Sequence, residues 1–126
     1  MPVDGDLDLW RRAARISAEA RELGARLVVP GASRRAVAEA IEDLIRSRGA
    51  APAFPANLSR NQEAAHYTPS PDDEARFVEG DLVKVDVGAH LDGRIADTAT
   101  TVEVGSTHRY DHLIRAVHEA VRAGIS

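Results

Sequence analysis

Near the start of the chain, apolar residues recur at three- and four-residue steps: Leu9, Ala13, Ile16, Ala20, Leu23 and Leu27. That period predicts an amphipathic helix over residues 7–27. Asp4, Asp6 and Asp8 stand at its beginning, where the helix dipole favours negative charge. Gly24 lies inside the pattern and weakens the last turns by about 1 kcal/mol relative to alanine. Val29-Pro30-Gly31 breaks the period. Ser33 is placed to cap a second helix running to about Arg48, with Val37, Ala40, Ile41, Leu44 and Ile45 as its apolar stripe.

From Ala50 to Pro71 the pattern dissolves. Pro52, Pro55, Pro69 and Pro71 exclude long regular structure, and polar residues fill the middle. Phe54 and Tyr67 sit inside this stretch, which a mere linker would not need. The period then changes to two. Residues 81–105, DLVKVDVGAHLDGRIADTATTVEVG, alternate on both sides of Asp92-Gly93. Asp-Gly between alternating runs predicts a hairpin with a two-residue turn. Leu91 then pairs with Arg94, Asp86 lies opposite Ala99, and Asp97 lies opposite Gly88. The two aspartates become diagonal neighbours on one face, about 7–8 Å apart. Their small partners leave room above the sheet. Val83, Val85, Val87, Ala89 and Leu91 share the other face, where the helices are expected to pack. The aspartate face is expected to stay uncovered by the rest of the chain. Asp111 is placed to cap a third helix to about Ala123, with Leu113, Val117, Ala120 and Val121 inward. Helix, helix, irregular segment, hairpin, helix is an α+β order.

Composition narrows the chemistry. A chain of 126 residues makes one modest domain, and a net charge of −4 lacks the basic face of a nucleic-acid partner. There is no cysteine, so a metal would need oxygen and imidazole ligands, which suits several divalent ions. The N-terminal residues lack a signal-peptide pattern, and no apolar run reaches membrane-spanning length. Cytoplasm is the expected compartment, with no membrane partner.

Two carboxylates held side by side repel unless a cation lies between them. Asp86 and Asp97 therefore read as one wall of a metal site, or as two solvated or salt-bridged strand residues. They cannot complete a catalytic centre, which takes at least three protein ligands. His66, in the irregular segment, is the best further candidate, as a donor to a substrate carbonyl or an acid or base near neutral pH. Glu103 shares the aspartate face but lies near its far end. His108 and His112 stand at helical spacing, with no carboxylate clearly placed beside them.

Two segments carry a resemblance: AFPANLSRNQEAAHYTP at 53–69 and KVDVGAHLDGRIADTATTV at 84–102. With their spacing they resemble type II methionine aminopeptidases, in the archaeal form, over essentially the whole chain. The resemblance implies the pita-bread fold, two pseudo-symmetric halves closing over a dinuclear site, with residues 1–126 as the N-terminal portion of the catalytic domain. It implies that Asp86 and Asp97 are metal ligands, Asp97 bridging both ions. His66 would contact substrate near the scissile bond, and Phe54 would line the methionine pocket. The implied cofactors are two divalent ions, with Co, Mn, Fe, Zn and Ni not distinguished. The implied reaction removes the initiator methionine from nascent proteins whose second residue is small.

Arg60, Gln62 and Glu63 depart from the family, whose members often carry an apolar, an acidic and an apolar residue there. The family's remaining ligands, a histidine and two glutamates, lie in the second half. A missing C-terminal half or a complementing chain would have to supply them, and the 126 residues alone are expected to be inactive. Two other readings compete. One is a catalytically dead pita-bread module used for binding or ribosome association. The other is a proline-specific aminopeptidase of the same fold. Retention of His66, Asp86 and Asp97 favours the enzyme lineage over the first, and AAHYTP argues against the second.

Overall fold

The computed structural model describes residues 4–126. Helices α1 (Asp4–Leu27) and α2 (Arg34–Ser47) form where the apolar period places them. Ser33 caps α2: its backbone is extended and its hydroxyl oxygen accepts the Ala36 N–H at 3.2 Å. The sheet comprises β1 (Ala51–Pro52), β2 (Asn57–Arg60), β3 (Leu82–Leu91) and β4 (Arg94–Glu103), with α3 (Asp111–Ile125) last. Every pairing is antiparallel and every one involves β3. β4 pairs along one side of β3, while β1 and β2 share the other.

Both short strands fall in the segment expected to be irregular. Their pairing is non-local, so no periodicity within four residues announces it. The order α, α, β, α still makes an α+β fold. The pairings also expose a local surplus. Between Pro52↔Ala89 and Asn57↔Asp86, the outer chain spends residues 53–56 against residues 87 and 88 of β3. This is a two-residue bulge, and it lifts Phe54 and Pro55 out of the sheet.

The core lies where alternation predicts. Val83, Val85, Val87 and Ala89 are fully buried against Ala13, Ile16 and Ala20 of α1 and Val37, Ile41 and Ile45 of α2. Ser17 ties α1 to both hairpin strands. Its buried hydroxyl accepts the Ala89 N–H at 3.0 Å and donates to the Ala96 carbonyl at 2.8 Å.

Helix propensity alone favours alanine at Gly24 by about 1 kcal/mol. Packing decides otherwise. A methyl there would lie 2.8 Å from Cδ1 of Ile41 and 2.9 Å from Cγ1 of Val85. Both neighbours are fully buried, and overpacking a core costs about 1–3 kcal/mol. Gly24→Ala is therefore expected to destabilise the fold, net by about 1 kcal/mol, read as a lower urea midpoint at unchanged slope. A raised midpoint would show that propensity wins.

α3 departs from expectation at both its cap and its face. Tyr110, not Asp111, occupies the N-cap position, and it makes no side-chain cap. Leu113, Val117 and Val121, expected to face inward, are about half exposed, and Ala120 is exposed too. The period is helical as expected, but no described residue buries that stripe.

Candidate metal centre

The geometry of the site starts at its turn. Asp92 and Gly93 both take left-handed backbone, with φ of 50° and 81°, the requirement of a type I′ turn. That turn sets the register from Leu91↔Arg94 to Leu82↔Glu103, and within it Asp86 faces Ala99 and Asp97 faces Gly88. The two aspartates share a face, as the pattern predicts.

That face is not bare. Over Gly88, the room expected above a small partner is taken by Phe54. A methyl on Gly88 would lie 2.9 Å from Cζ of the Phe54 ring and closer still to Cε1. The bulge lifts Phe54 and the missing side chain at position 88 receives it. β2 adds Asn57, directly across from Asp86 and buried. Asn57 was absent from the sequence expectations, because its place follows only from the β2–β3 register. A cavity of about 330 Å³ is lined by Phe54, His66, Asp86 and Asp97, the four residues singled out from the sequence. Pro55, Asn57 and Thr68 complete its wall.

His66 reaches this cavity from the segment after β2, with φ of 65°. Left-handed backbone is uncommon outside glycine and concentrates at functional sites. The segment is anchored at both ends of its turn. The Leu58 N–H donates to the Tyr67 carbonyl at 2.9 Å, and the Tyr67 N–H to the Ser59 hydroxyl at 3.2 Å. Further back, the Asn61 N–H donates to the Leu82 carbonyl at 2.8 Å, and its side-chain carbonyl accepts the Leu82 N–H at 2.9 Å.

Asp86 is half-buried, and its Oδ1 is a buried oxygen with no hydrogen-bond partner. Such an orphaned acceptor is costly unless something positive occupies it. Burial, then the neighbouring Asp97 carboxylate, push its pKa up to about 6, against a small opposing pull from His66. The donor set suits a hard divalent cation, which takes carboxylate oxygens. Among the described residues, no group of three His, Asp or Glu side chains could hold an ion together. Glu103 is engaged elsewhere, accepting from the Thr107 hydroxyl and, at 2.8 Å, from the Tyr110 N–H. His108 pairs with Asp111 at 3.2 Å.

A raised carboxyl pKa has a defined sign. The folded metal-free protein holds a proton on Asp86 more tightly than the unfolded chain does. Its stabilising effect is full below the ordinary value of 3.8 and is lost as pH rises through about 6. Metal-free Asp86→Asn, which stays neutral, is expected to melt higher than its parent at pH 8, with the gap closing near pH 4. Thermal melts in chelator at both pH values measure this. Equal melting at pH 8 would show that the two carboxylates do not strain the fold.

Residues 8–126 match the profile of metallopeptidase family M24. The methionine aminopeptidase of Pyrococcus abyssi is 48% identical over 121 residues, covering 96% of this chain and 40% of that protein. That of Saccharolobus solfataricus is 43% identical over 124 residues, covering 98% of this chain and 40% of that protein. Among solved structures, Thermotoga maritima methionine aminopeptidase superposes with a TM-score of 0.87 at 27% identity, covering 97% of this chain and 52% of the other. Pyrococcus furiosus prolidase superposes at 0.72 and 25% identity, covering 84% and 32%. The fold is thus that of the pita-bread aminopeptidases and prolidases, and this chain spans about 40% of the length of the curated relatives it matches. With the profile matched over nearly all of its residues, the chain belongs to metallopeptidase family M24.

Proposed function

We propose that residues 1–126 form the N-terminal portion of the catalytic domain of a methionine aminopeptidase. The observation that carries this is the shared cavity: Asp86, Asp97, His66 and Phe54 all line it, and the buried Asp86 oxygen has no partner within the chain. Asp86 and Asp97 would be the residues of this chain that hold the divalent metal. The rest of the ligand set comes from a C-terminal half or a complementing chain. When bound, the metal lowers the pKa of a water and polarises the scissile carbonyl.

The chain's own residues do the rest. Phe54, seated against Gly88, gives the substrate's unbranched methionine side chain an apolar wall. His66 faces the same cavity from above the sheet and donates a hydrogen bond to the substrate near its scissile bond. The substrates are the N-termini of nascent proteins with a small second residue, which places the reaction in the cytoplasm. No helix among the described residues is long and apolar enough to cross a membrane.

The test is release of methionine from a Met-Ala-Ser peptide. The full-length chain loaded with Co²⁺ or Mn²⁺ is expected to release it, and chelator to stop it. The 126-residue piece alone is expected to release none, because two carboxylates fall short of the ligands a catalytic ion needs. Turnover by the piece alone would overturn the ligand argument. A full-length chain that binds metal and releases no methionine would overturn the assignment.

A further inference from the structure

Glu63 stands where an apolar residue is common in the family, and the fold shows what answers it. Arg34, the first residue of α2, is only 3% exposed. Its Nη1 donates to Glu63 Oε1 at 2.8 Å, and its Nε lies 3.4 Å from Asp73 Oδ2 without hydrogen-bond alignment. Its guanidinium carbon sits 3.7 Å from the centre of the Tyr67 ring, within cation–π range. Asp73 is itself bound in. Its Oδ2 accepts the Tyr67 hydroxyl at 3.0 Å and its Oδ1 accepts the Ala75 N–H at 2.7 Å. Burial opposes ionisation of Asp73, but those two donors and the Arg34 guanidinium outweigh it and hold its carboxyl below the usual range.

One buried guanidinium thus grips a single segment at three points, Glu63, Tyr67 and Asp73. These points straddle His66. Its imidazole makes no hydrogen bond among the described residues that would aim it, and its left-handed backbone is strained. What keeps it facing the cavity must act on its neighbours, and Tyr67 is the nearest of them. A planar fork that stacks and pairs at once is something arginine supplies and lysine does not.

We propose that Arg34 is a positioning residue for His66, clamping Glu63, Tyr67 and Asp73 so that the left-handed turn at 66 stays over the Asp86–Asp97 pair. This rests on the role given to His66 above. The test compares Arg34→Leu, Arg34→Lys and the apolar pair Arg34→Leu/Glu63→Leu in the full-length chain. Ile41→Val, in the core about two turns along α2 from Arg34, controls for loss of stability. The first readout, metal-free and substrate-free, is hydrogen exchange at the Tyr67 amide. The second is kcat and KM for the methionyl peptide.

In Arg34→Leu, Tyr67 exchange is expected to rise at least about tenfold, and kcat to fall about 10–100-fold with KM little changed, the cost of misplacing a group by about 1 Å. Arg34→Lys is expected to fall between. Ile41→Val is expected to match Arg34→Leu in neither readout. Should the single variant fail to fold, the apolar pair removes the buried guanidinium together with its hydrogen-bonded carboxylate, the partly exposed Glu63, while Asp73 keeps its donors from Tyr67 and Ala75. Faster Tyr67 exchange in it supports the clamp, and parental exchange overturns it. An unmoved Tyr67 amide in Arg34→Leu overturns the clamp whatever happens to activity. A loosened segment beside an unaffected kcat in His66→Ala overturns the role of His66, and the positioning role with it.

Discussion

Asp97→Ala in the full-length chain is expected to abolish peptide hydrolysis while leaving the fold intact. Asp97 sits on β4, opposite a glycine, with its side chain exposed. Truncating it removes no core contact, and stability is expected to change by less than about 0.5 kcal/mol. Its proposed place as a metal ligand makes the catalytic cost large. Losing an outer partner of a metal ligand already costs about 10–100-fold, so losing the ligand itself should exceed about 100-fold. Asp97→Asn keeps the shape and loses the charge, and it is expected to fail nearly as badly. Metal content by mass spectrometry under native conditions should fall with activity. Retained stoichiometry together with retained turnover would remove Asp97 from the centre.

Gly88→Ala is expected to be the most damaging single-methyl change at the site. The added carbon meets the Phe54 ring inside ordinary contact distance, so the ring must leave its seat. On one side the bulge at 53–56 confines it, held by the Ala53 N–H donating to the Gly88 carbonyl at 2.9 Å. The open direction is toward the cavity that the aspartates line. A displacement of about 1 Å in a substrate-positioning group costs about 100-fold in kcat/KM. The cost should fall on methionyl substrates first, since the ring is the proposed wall of their pocket. Phe54→Ala supplies the control. In that background the added methyl meets open space, and Gly88→Ala should cost little more. A cycle in which the two penalties simply add would show that the glycine does not act through the ring.

How much of this was legible in the sequence depends on the reach of each interaction. The hairpin was, because Asp92-Gly93 fixes a local register and alternation fixes its faces. So Asp86 and Asp97 were placed on one face before any fold was known. His66 was singled out from its place in the polar segment and given its role by resemblance, Phe54 was assigned through resemblance alone, and the fold brought both to the same cavity. The Phe54–Gly88 contact was not legible. It depends on a bulge whose two ends pair with a strand some thirty residues away, and no local pattern encodes it. Arg34 and Glu63, 29 residues apart, were unreadable as a pair for the same reason. Gly24 was read for its helix propensity, whereas its packing neighbours Ile41 and Val85 come from two other elements. The α3 stripe was read correctly as a helical period but wrongly as buried, since periodicity says which residues share a face and not what covers them.

The surplus residues between β1 and β2 have a consequence for how such a pocket can vary. Each flank is registered by its own ladder, Pro52↔Ala89 on one side and Asn57↔Asp86 on the other. The length of the arch between them is therefore a free variable. Residues can be gained or lost at 53–56 without moving Asp86 or its cross-strand partner. Phe54, the proposed wall for a substrate side chain, stands on this arch, whereas Asp86 and Asp97 stand on β3 and β4, whose mutual register is set by the turn between them. In the proposed enzyme, selectivity can drift in this arch while the aspartate pair stays still.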